Sequence, residues 1–365
     1  MHGSNHVSQW FKVVLFSLSI LQVGCSIDPV RTVVVKGESL QKRPGVPVIS
    51  MNNKQDSMED IVNGYWNYGG RILESARGGD PTRVKFHTSY SQNRWMVVEG
   101  TLGSGKKYPV VIDTGASPAL FVNDIHILEN KLAIRPLGVS GNNSSGWGIC
   151  HLPELRIGKV TLANWPCFYR EQHTEVQLFG LSVSRDKPII VGLPALKRFK
   201  YIAFDSINKE VEFSLEKPFE CDRHDLWTRY SFVIEEYLGG NAFLFVKIPI
   251  AGKETELQLD TGCGRGLAIN EELWEKIRRR IQNTTLIKGK DLYPYIGWLA
   301  CKRGIIPKLD VGARTLMNAN ISVFPNDSPL VDQCQGLLGM QCFRNTVMVL
   351  DFERNSMWVK YPQKP

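Results

Sequence analysis

The chain lacks the features that mark several large classes of protein. After residue 25, no stretch approaches the roughly 20 apolar residues of a transmembrane helix. The cysteines show no C-x-x-C spacing, the seven histidines include no H-E-x-x-H, and G-x-S-x-G is absent. No dense basic block interleaved with aromatic residues occurs either. These absences argue against a membrane-spanning protein, a zinc enzyme, a serine hydrolase and a nucleic-acid-binding protein, and no metal or cofactor is expected.

The composition is that of a globular protein with room for two domains. The chain has 365 residues, of which 43% are hydrophobic and 22% are charged, and domains typically contain about 100–200 residues. Lysine and arginine total 44 against 36 acidic residues. This modest excess hints at acidic surfaces as partners and gives no argument for nucleic acid. We therefore expect a soluble, β-rich protein.

The first 25 residues differ in kind from the rest. Lys12 precedes an apolar run over residues 13–23, and Gly24 and Cys25 follow the run. This pattern is typical of a secretory signal peptide, so the mature chain is expected to be exported. Gly24-Cys25 also resembles the end of a bacterial lipoprotein signal, although Gln22 stands where that signal has an apolar residue. Two fates stay open: cleavage to a secreted or periplasmic protein, or lipid attachment at Cys25 that anchors the chain at the cell envelope.

The cysteine count leaves the disulfide pattern open. Seven cysteines follow Cys25, and an odd number means that at least one thiol stays free or pairs between molecules. Export would permit disulfides. The seven are Cys150, Cys167, Cys221, Cys263, Cys301, Cys334 and Cys342.

The chain contains an internal duplication. Residues 110–123 read VVIDTGASPALFVN, and residues 257–270 read LQLDTGCGRGLAIN. Both segments place Asp-Thr-Gly behind an apolar run. An apolar-apolar-Gly triplet then follows in each case, and Gly192 and Gly339 each lie 79 residues after the aspartate of their own segment. The repeated motif and the repeated spacing indicate that one half of the chain copies the other.

A single Asp-Thr-Gly has a simple structural explanation. A strand that enters a turn can use Asp as a cap and Gly for its open backbone angle. Two copies at matched spacing favour a functional pair instead.

Two carboxyls held together could hydrolyse a peptide bond without a metal or a covalent intermediate. One group must take a proton from water, and another must give a proton to the carbonyl oxygen or to the leaving nitrogen. Carboxyls about 3 Å apart share one proton, because like charges that close cannot both ionise. The duplication supplies one carboxyl from each copy, Asp113 and Asp260.

The paired motifs resemble those of the aspartic proteases, and Asp-Thr-Gly-Ala in compact copies is more similar to retropepsins fused in tandem. The resemblance covers roughly residues 90–362. It implies an all-β, bilobal acid-protease barrel built from two retropepsin-like lobes related by pseudo-twofold symmetry. It also implies an aspartic endopeptidase that acts on a peptide or protein substrate without a cofactor. Because one chain carries both halves, a monomer would suffice.

The resemblance also assigns roles to residues around the motifs. Asp113 and Asp260 would be the catalytic pair. The supporting residues would be Thr114 and Thr261, interlocked beneath the pair, Gly115 and Gly262, which contribute turn amides, and Gly192 and Gly339, in loops packed against the two aspartate turns.

Retropepsin-like enzymes close glycine-containing hairpin flaps over the substrate. The best candidates are GVSGNNSSGWGIC around Trp147 and YIGWLAC around Trp298, which lie 34 and 38 residues after their aspartates. The Gly-Trp pair stands three residues before a cysteine in both, which predicts that the two tryptophans are equivalent. A core tryptophan in each lobe is the alternative interpretation.

The residue after each Asp-Thr-Gly departs from pepsin-like enzymes, where Ser or Thr is usual. Here the positions hold Ala116 and Cys263. Loss of a hydroxyl donor disfavours the charged carboxylate. We therefore expect the pKa values of the pair to be higher than in pepsin, with a weakly acidic to near-neutral optimum.

These features divide the chain into five expected segments. They are a signal peptide (1–25), an N-terminal tether, propeptide or strand donor (26–89), a first lobe (90–216), a connection (217–240) and a second lobe (241–362). The sequences of the two lobes are called the first copy and the second copy below.

Local patterns place the motifs on strands. Residues 94–102 and 108–113 read as a hairpin, and residues 242–250 and 256–260 read as its copy. Asn270 is expected to cap an amphipathic helix that follows the second copy of the motif.

Two alternative functions are a nucleotide-binding protein and a peptide-binding protein without catalysis. Residues 100–106 fit the phosphate-binding pattern G-x-x-x-x-G-K, but Lys107 stands where Ser or Thr should bind Mg²⁺, and no helix is expected to follow. A non-catalytic peptide-binding protein with a protease-like fold is the second alternative, against which the presence of both aspartates argues.

Overall fold

A computed structural model describes most of the chain beyond the predicted signal peptide. The described residues are 30–36, 39–48, 70–74, 79–87, 96–140, 145–178, 181–186, 188–237, 242–281, 284–293, 297–332 and 334–362. The predicted signal peptide and Cys25 lie outside them. The expected β class is confirmed, since 57% of the residues are in strands and 12% in helices. In the part of the chain described, no helix is long and apolar enough to cross a membrane.

Within these ranges, the regular structure consists of twenty-four strands and three short α-helices. The strands are β1 (Val30–Lys36), β2 (Arg71–Glu74), β3 (Thr82–Lys85), β4 (Val97–Leu102), β5 (Lys107–Asp113), β6 (Leu120–Asn123), β7 (Ile134–Ser140), β8 (Ser145–Ile157), β9 (Val160–Arg170), β10 (Gln172–Leu178), β11 (Leu181–Asp186), β12 (Ile189–Gly192), β13 (Tyr201–Asp205), β14 (Glu210–Ser214), β15 (Trp227–Glu236), β16 (Ala242–Ile250), β17 (Lys253–Asp260), β18 (Leu267–Asn270), β19 (Ile287–Tyr293), β20 (Gly297–Val311), β21 (Arg314–Phe324), β22 (Gly336–Gly339), β23 (Val347–Asp351) and β24 (Ser356–Lys360). The helices are α1 (Asp124–Asn130), α2 (Leu193–Leu196) and α3 (Glu271–Ile277).

The chain divides into two compact units of very different size. One consists of residues 1–33 and 175–185, and the other of residues 34–174 and 186–365. A three-stranded sheet of order β1-β10-β11 includes the described part of the small unit. All residues predicted for the site belong to the large unit.

The first copy forms a closed six-stranded barrel. Its strands pair in the order β4-β5-β12-β6-β9-β8, and β8 also pairs with β4 and closes the ring. The strands at its centre, β6 and β12, are buried along their whole length. Strands buried on both faces read as continuous apolar runs rather than as alternating patterns, which explains the runs around the first Asp-Thr-Gly.

The second copy lies in a sheet of thirteen strands and repeats this order of pairing. Its strands run β16-β17-β22-β18-β21-β20, and β20 meets β16 again at Val311 and Ile250. The strands that follow β12 and β22 in sequence, β13 and β23, pair with each other. Strands of both copies therefore share one sheet.

Segments expected outside the two lobes also contribute strands. Within residues 26–89, β2 pairs with β9 and β3 pairs with β14. Within residues 217–240, β15 pairs with both β24 and β16. Residues 227–236 of the expected connection therefore form an internal strand of the large sheet.

The local predictions around the motifs are confirmed where the residues are described. β4 and β5 form the first hairpin and β16 and β17 the second. The side chain of Asn270 accepts a hydrogen bond from the backbone N–H of Leu273 at 2.8 Å and caps α3. The helix ends at Ile277, and the exposed residues 278–280 continue as a 3₁₀ turn.

Candidate active site

Each predicted aspartate ends a central strand of its copy. Asp113 ends β5, which lies between β4 and β12, and Asp260 ends β17, which lies between β16 and β22. The neighbouring parallel strand ends on glycine at the same level, with Gly192 opposite Asp113 and Gly339 opposite Asp260. The two strand ends therefore have the same surroundings in both copies.

The threonines after the aspartates interlock across the two copies. The backbone N–H of Thr114 donates to Oγ1 of Thr261 at 2.9 Å, and the N–H of Thr261 donates to Oγ1 of Thr114 at 3.1 Å. Each hydroxyl then donates at 2.7 Å to a carbonyl of the opposite copy, that of Leu259 or Ile112. Both threonines are fully buried. Four reciprocal hydrogen bonds in an apolar interior fix the two turns against each other.

This interlock brings the two carboxyl groups together. The side chains of Asp113 and Asp260 are hydrogen-bonded to each other. Oδ1 of Asp113 accepts the N–H of Gly115 at 2.8 Å, and Oδ1 of Asp260 accepts the N–H of Cys263 at 2.9 Å. Each carboxyl is therefore held by a turn amide of its own copy and contacts the carboxyl of the other copy.

Glycine is required in both motifs by space rather than by backbone angle. A Cβ atom on Gly115 would lie 2.6 Å from Cγ of Asp260, and one on Gly262 would collide with the carboxyl of Asp113. Neither glycine has a positive φ. Each therefore leaves room for the carboxyl of the opposite copy.

Gly192 and Gly339 pack against the two aspartate turns. The N–H of Gly192 donates to the carbonyl of Ala119 at 2.9 Å, and the N–H of Gly339 donates to that of Gly266 at 2.8 Å. A Cβ on Gly192 would lie 2.6 Å from the carbonyl oxygen of Ala116. The backbones approach too closely for any side chain at these positions.

The pKa values of both aspartates are raised above the ordinary range. Burial is the main cause for each. The charge and the hydrogen bond of Asp113 add to the rise at Asp260, whose pKa lies well above its usual value, whereas backbone N–H groups oppose the rise at both. Because neighbouring carboxyls cannot both ionise readily, the two carboxyls share one proton as a pair.

Ala116 and Cys263 offer backbone donors in place of a hydroxyl. The N–H groups of both residues lower the pKa of the adjacent aspartate, but burial outweighs them. The pKa of the Cys263 thiol is itself raised, first by burial and then by the charge of Asp260. The thiol is therefore neutral beside the pair.

Both flap candidates are β-hairpins. β7 and β8 pair up to Ser140 and Ser145, and β19 and β20 pair up to Tyr293 and Gly297. The two tips, residues 141–144 and 294–296, lie outside the described residues. The role of these hairpins as flaps stays a prediction.

The predicted equivalence of Trp147 and Trp298 is wrong. Phe168 and Ser322 hold matching positions, since each pairs with the second residue of β6 or β18. Ile149 lies opposite Phe168, and Arg303 lies opposite Ser322. Ile149 is two residues after Trp147, whereas Arg303 is five residues after Trp298, so strand pairing shifts the two tryptophans by three residues.

The two tryptophans consequently have different surroundings. Trp147 stacks on Phe168 with ring centroids 6.3 Å apart. Trp298 lies closer to its hairpin tip and is 51% exposed. The interpretation as a core tryptophan is therefore wrong for Trp298.

A buried charge network in the second copy was missed at the sequence level. Asp291 on β19 is fully buried and forms ion pairs with Arg265, at 3.0 Å, and with Arg303. The hydroxyl of Ser322 donates to its other oxygen at 2.5 Å. These contacts join residues 12 to 31 positions apart, and such distances cannot be read from sequence spacing. The only hint in the sequence is that Asp291 and Arg303 are oppositely charged residues in strands of mixed polarity.

Tyr293 is a second residue that sequence reasoning missed. Its hydroxyl is buried without a hydrogen-bond partner among the described residues. Burial raises its pKa, and nearby Cys263, Asp291 and Asp260 raise it further. A neutral phenol donor therefore lies near Asp260, next to the tip of the second hairpin.

The phosphate-binding alternative does not fit the structure. Residues 100–106 span the end of β4 and the tight turn before β5, so a strand follows where phosphate binding needs a helix N-terminus. The ammonium of Lys106 pairs with Glu129 at 2.5 Å. In the described part of the chain, no group of three His, Cys, Asp or Glu side chains is placed to hold a metal ion.

Comparison with known proteins adds no relative. No protein-family model matches this chain, and no curated protein matches it significantly.

Proposed function

We propose that this protein is an aspartic endopeptidase whose catalytic pair is Asp113 and Asp260. The observation that carries the proposal is the reciprocal interlock of Thr114 and Thr261, which holds two carboxyls in hydrogen-bond contact. Two carboxyls that share a proton provide an acid and a base in one place.

The same proposal includes two retropepsin-like lobes related by pseudo-twofold symmetry. The repeated order of strand pairing supports it, as does the matching pair of glycines at the ends of β12 and β22. Both aspartates come from one chain, so a monomer would contain the whole site.

The chemistry follows from the one proton that the pair shares, and in the proposed cycle this proton starts on Asp260. Ionised Asp113 would take a proton from water as the water oxygen attacks the carbonyl carbon of the substrate, and protonated Asp260 would give its proton to the carbonyl oxygen. Asp113 would then pass its proton to the leaving nitrogen as the C–N bond breaks, and Asp260 would recover a proton from the resulting diol. Each carboxyl ends in the state in which it began.

Export and membrane attachment remain part of the proposal at the sequence level. The signal pattern of residues 1–25 and the lipidation alternative at Cys25 supply the reasons. A secreted, periplasmic or envelope-anchored peptidase would act on peptides or proteins outside the cytoplasm.

Incubation of the purified full chain with a peptide library at several pH values tests the activity. We expect peptide cleavage by the unaltered protein and a loss of about 10²–10⁴-fold in both Asp113→Asn and Asp260→Asn. Asp205→Asn is the matched control, because Asp205 also ends a strand but caps the exposed turn at Ile207 and Asn208.

Three outcomes separate the alternatives. Cleavage that survives either substitution at the pair would contradict the assignment. Peptide binding without turnover by the unaltered protein would favour the non-catalytic binding protein. Full activity in Asp205→Asn with loss in the other two variants would support the proposal.

A further inference from the structure

Two buried cysteines face each other in the first copy. Cys150 on β8 lies directly opposite Cys167 on β9 in the antiparallel register. Each is only 1% exposed. The pairing continues on both sides of them, so these positions belong to a regular stretch of the ladder rather than to a bulge.

The geometry of such a pair matches that of a disulfide. Directly opposite residues in an antiparallel ladder have Cα atoms about 4.5–5.5 Å apart and point their side chains to the same face. Disulfides bridge Cα atoms about 4.4–6.8 Å apart. The pKa of Cys167 is raised first by burial and then by the neighbouring Cys150 thiol, which agrees with this closeness. Both cysteines are free thiols in this structure, and the Cα separation that their register implies lies within the range that a disulfide bridges.

The other five described cysteines occupy different surroundings, and Cys221 among them is only partly buried. Cys301 lies opposite Gly289 in its ladder, and the thiol of Cys334 points to the carbonyl of Leu330 at 3.9 Å. Cys263 lies in the turn after Asp260, and Cys342 lies in a buried 3₁₀ turn. The cross-strand register singles out Cys150 and Cys167 as the matched pair.

We propose that Cys150 and Cys167 form a cross-strand disulfide when the folding chain meets an oxidised low-molecular-weight disulfide. One cysteine thiolate attacks the sulfur–sulfur bond of the donor, forms a mixed disulfide and releases one thiol. The second cysteine thiolate then attacks the protein-bound sulfur and releases the second thiol. The two protein thiols lose two electrons and two protons in total, and the donor disulfide is reduced to two thiols.

Burial sets the time at which this exchange occurs. Thiolate is the reactive form, and a buried thiol with a raised pKa is inert. The pair is therefore oxidised before the barrel has folded around it, or when β8 and β9 separate transiently.

The bond would act on one hairpin only. Cys150 is three residues after Trp147, and Cys167 precedes Phe168, the ring on which Trp147 stacks. The disulfide would tie the second strand of the first hairpin to the barrel at its base. In the second copy the matching positions are Gly304 and Ile321, so that hairpin has no equivalent bond.

Peptide mapping of the full chain tests this inference, and the test does not depend on peptidase activity. The protein is refolded with oxidised and reduced glutathione, the remaining thiols are alkylated under denaturing conditions, and the tryptic peptides are examined by mass spectrometry. Arg156 and Lys159 lie between the two cysteines, so trypsin places Cys150 and Cys167 on separate peptides that only a disulfide would hold together. We expect a cross-linked peptide containing Cys150 and Cys167, which dithiothreitol separates.

Two variants and one physical measurement complete the test. Cys342→Ser should keep the cross-link, whereas Cys150→Ser should abolish it and leave Cys167 open to alkylation. The oxidised unaltered protein should unfold several degrees above its reduced form, a reading that needs no variant to fold. Full alkylation of Cys150 and Cys167 after oxidative refolding, or bonds from either to another cysteine, would overturn the inference.

Discussion

The two copies share the parts that hold the carboxyls and differ in what surrounds them. Beside the first turn, Ala116 and Phe168 border an apolar cluster of Val97, Val111, Phe121 and Ile190. Beside the second turn, the matching strand positions hold Ser322 and the network around Asp291. The threonine interlock and the close-packed glycines are therefore common to both copies, whereas the surroundings of the two turns are apolar in one copy and charged in the other.

The largest effect is expected from a methyl group added at the motif glycines, because both copies use these glycines to make room for the opposite carboxyl. Gly115→Ala and Gly262→Ala each push a Cβ into the carboxyl of the other copy. We expect either variant to lose about 10²-fold in peptide cleavage through misplacement of the pair and to lose about 1–3 kcal/mol of stability. Steady-state kinetics and urea denaturation measure the two effects.

Gly103→Ala is the control for this pair of variants, because a Cβ there meets nothing within 4 Å. A large effect at only one motif glycine would show that the two copies do not contribute equally.

Disruption of the charged network around Asp291 in the second copy should lower the stability of the fold. Asp291→Asn leaves Arg265 and Arg303 without their buried carboxylate. We expect the free energy of unfolding to fall by about 2–4 kcal/mol, below the cost of fully buried pairs because both guanidinium groups reach solvent. Urea denaturation measures it.

Asp310→Asn tests an exposed carboxylate in the same copy, where Thr315 is the partner, and should change stability by less than about 0.5 kcal/mol. An equally small change in Asp291→Asn would mean that the network contributes little to the fold.

The interlock predicts equal effects from its two threonines. Thr114→Val and Thr261→Val each remove one hydroxyl that donates and accepts across the copies. Each should cost about 1–3 kcal/mol through buried backbone groups left unpaired. The double variant should cost less than the sum, because both hydroxyls belong to one network.

Chemical denaturation of the two single variants and the double variant measures this coupling. Additive effects would contradict the reciprocal interlock.

The smallest expected effect is a change with pH in the Tm difference between the unaltered protein and Asp260→Asn. A raised folded-state pKa means that the native pair holds a proton above the unfolded value of about 3.9. Stability from that proton is present below the unfolded pKa and is lost as pH rises toward the raised folded pKa. Asp260→Asn removes the penalty, so its Tm relative to the unaltered protein should rise as pH increases above about 4.

Thermal unfolding across this pH range provides the measurement, with Asp205→Asn as the control of ordinary surroundings. Parallel Tm curves for the unaltered protein and Asp260→Asn would show that the pKa of Asp260 is not raised.

The position of the pair could be predicted because its signal is local and repeated. Two Asp-Thr-Gly motifs and two glycines at equal spacing fix which strand ends meet, and the hairpins before the motifs follow from alternating patterns. The duplication predicts that both copies share one order of pairing, whereas the order itself is known only from the structure.

The surroundings could not be predicted because they depend on register and long-range packing. Trp147 and Trp298 match in sequence, yet strand pairing shifts them by three residues. Asp291 meets Arg265 only after β19 pairs with β20 at the edge of the large sheet. Similarly, β2 and β3 show no resemblance to either copy, and they are strands because edges of the two sheets receive them.

The pH dependence of kcat/KM for one cleaved peptide, measured on the unaltered protein and on both Asn variants, tests whether Asp113 and Asp260 act as one catalytic pair. We expect a bell-shaped profile with a weakly acidic to near-neutral maximum, produced by the two ionisations of the shared pair, and loss of the whole profile in either variant. A maximum below about pH 3, as a carboxyl pair with the low pKa values of pepsin would allow, or a bell that survives in Asp113→Asn or Asp260→Asn, would contradict it.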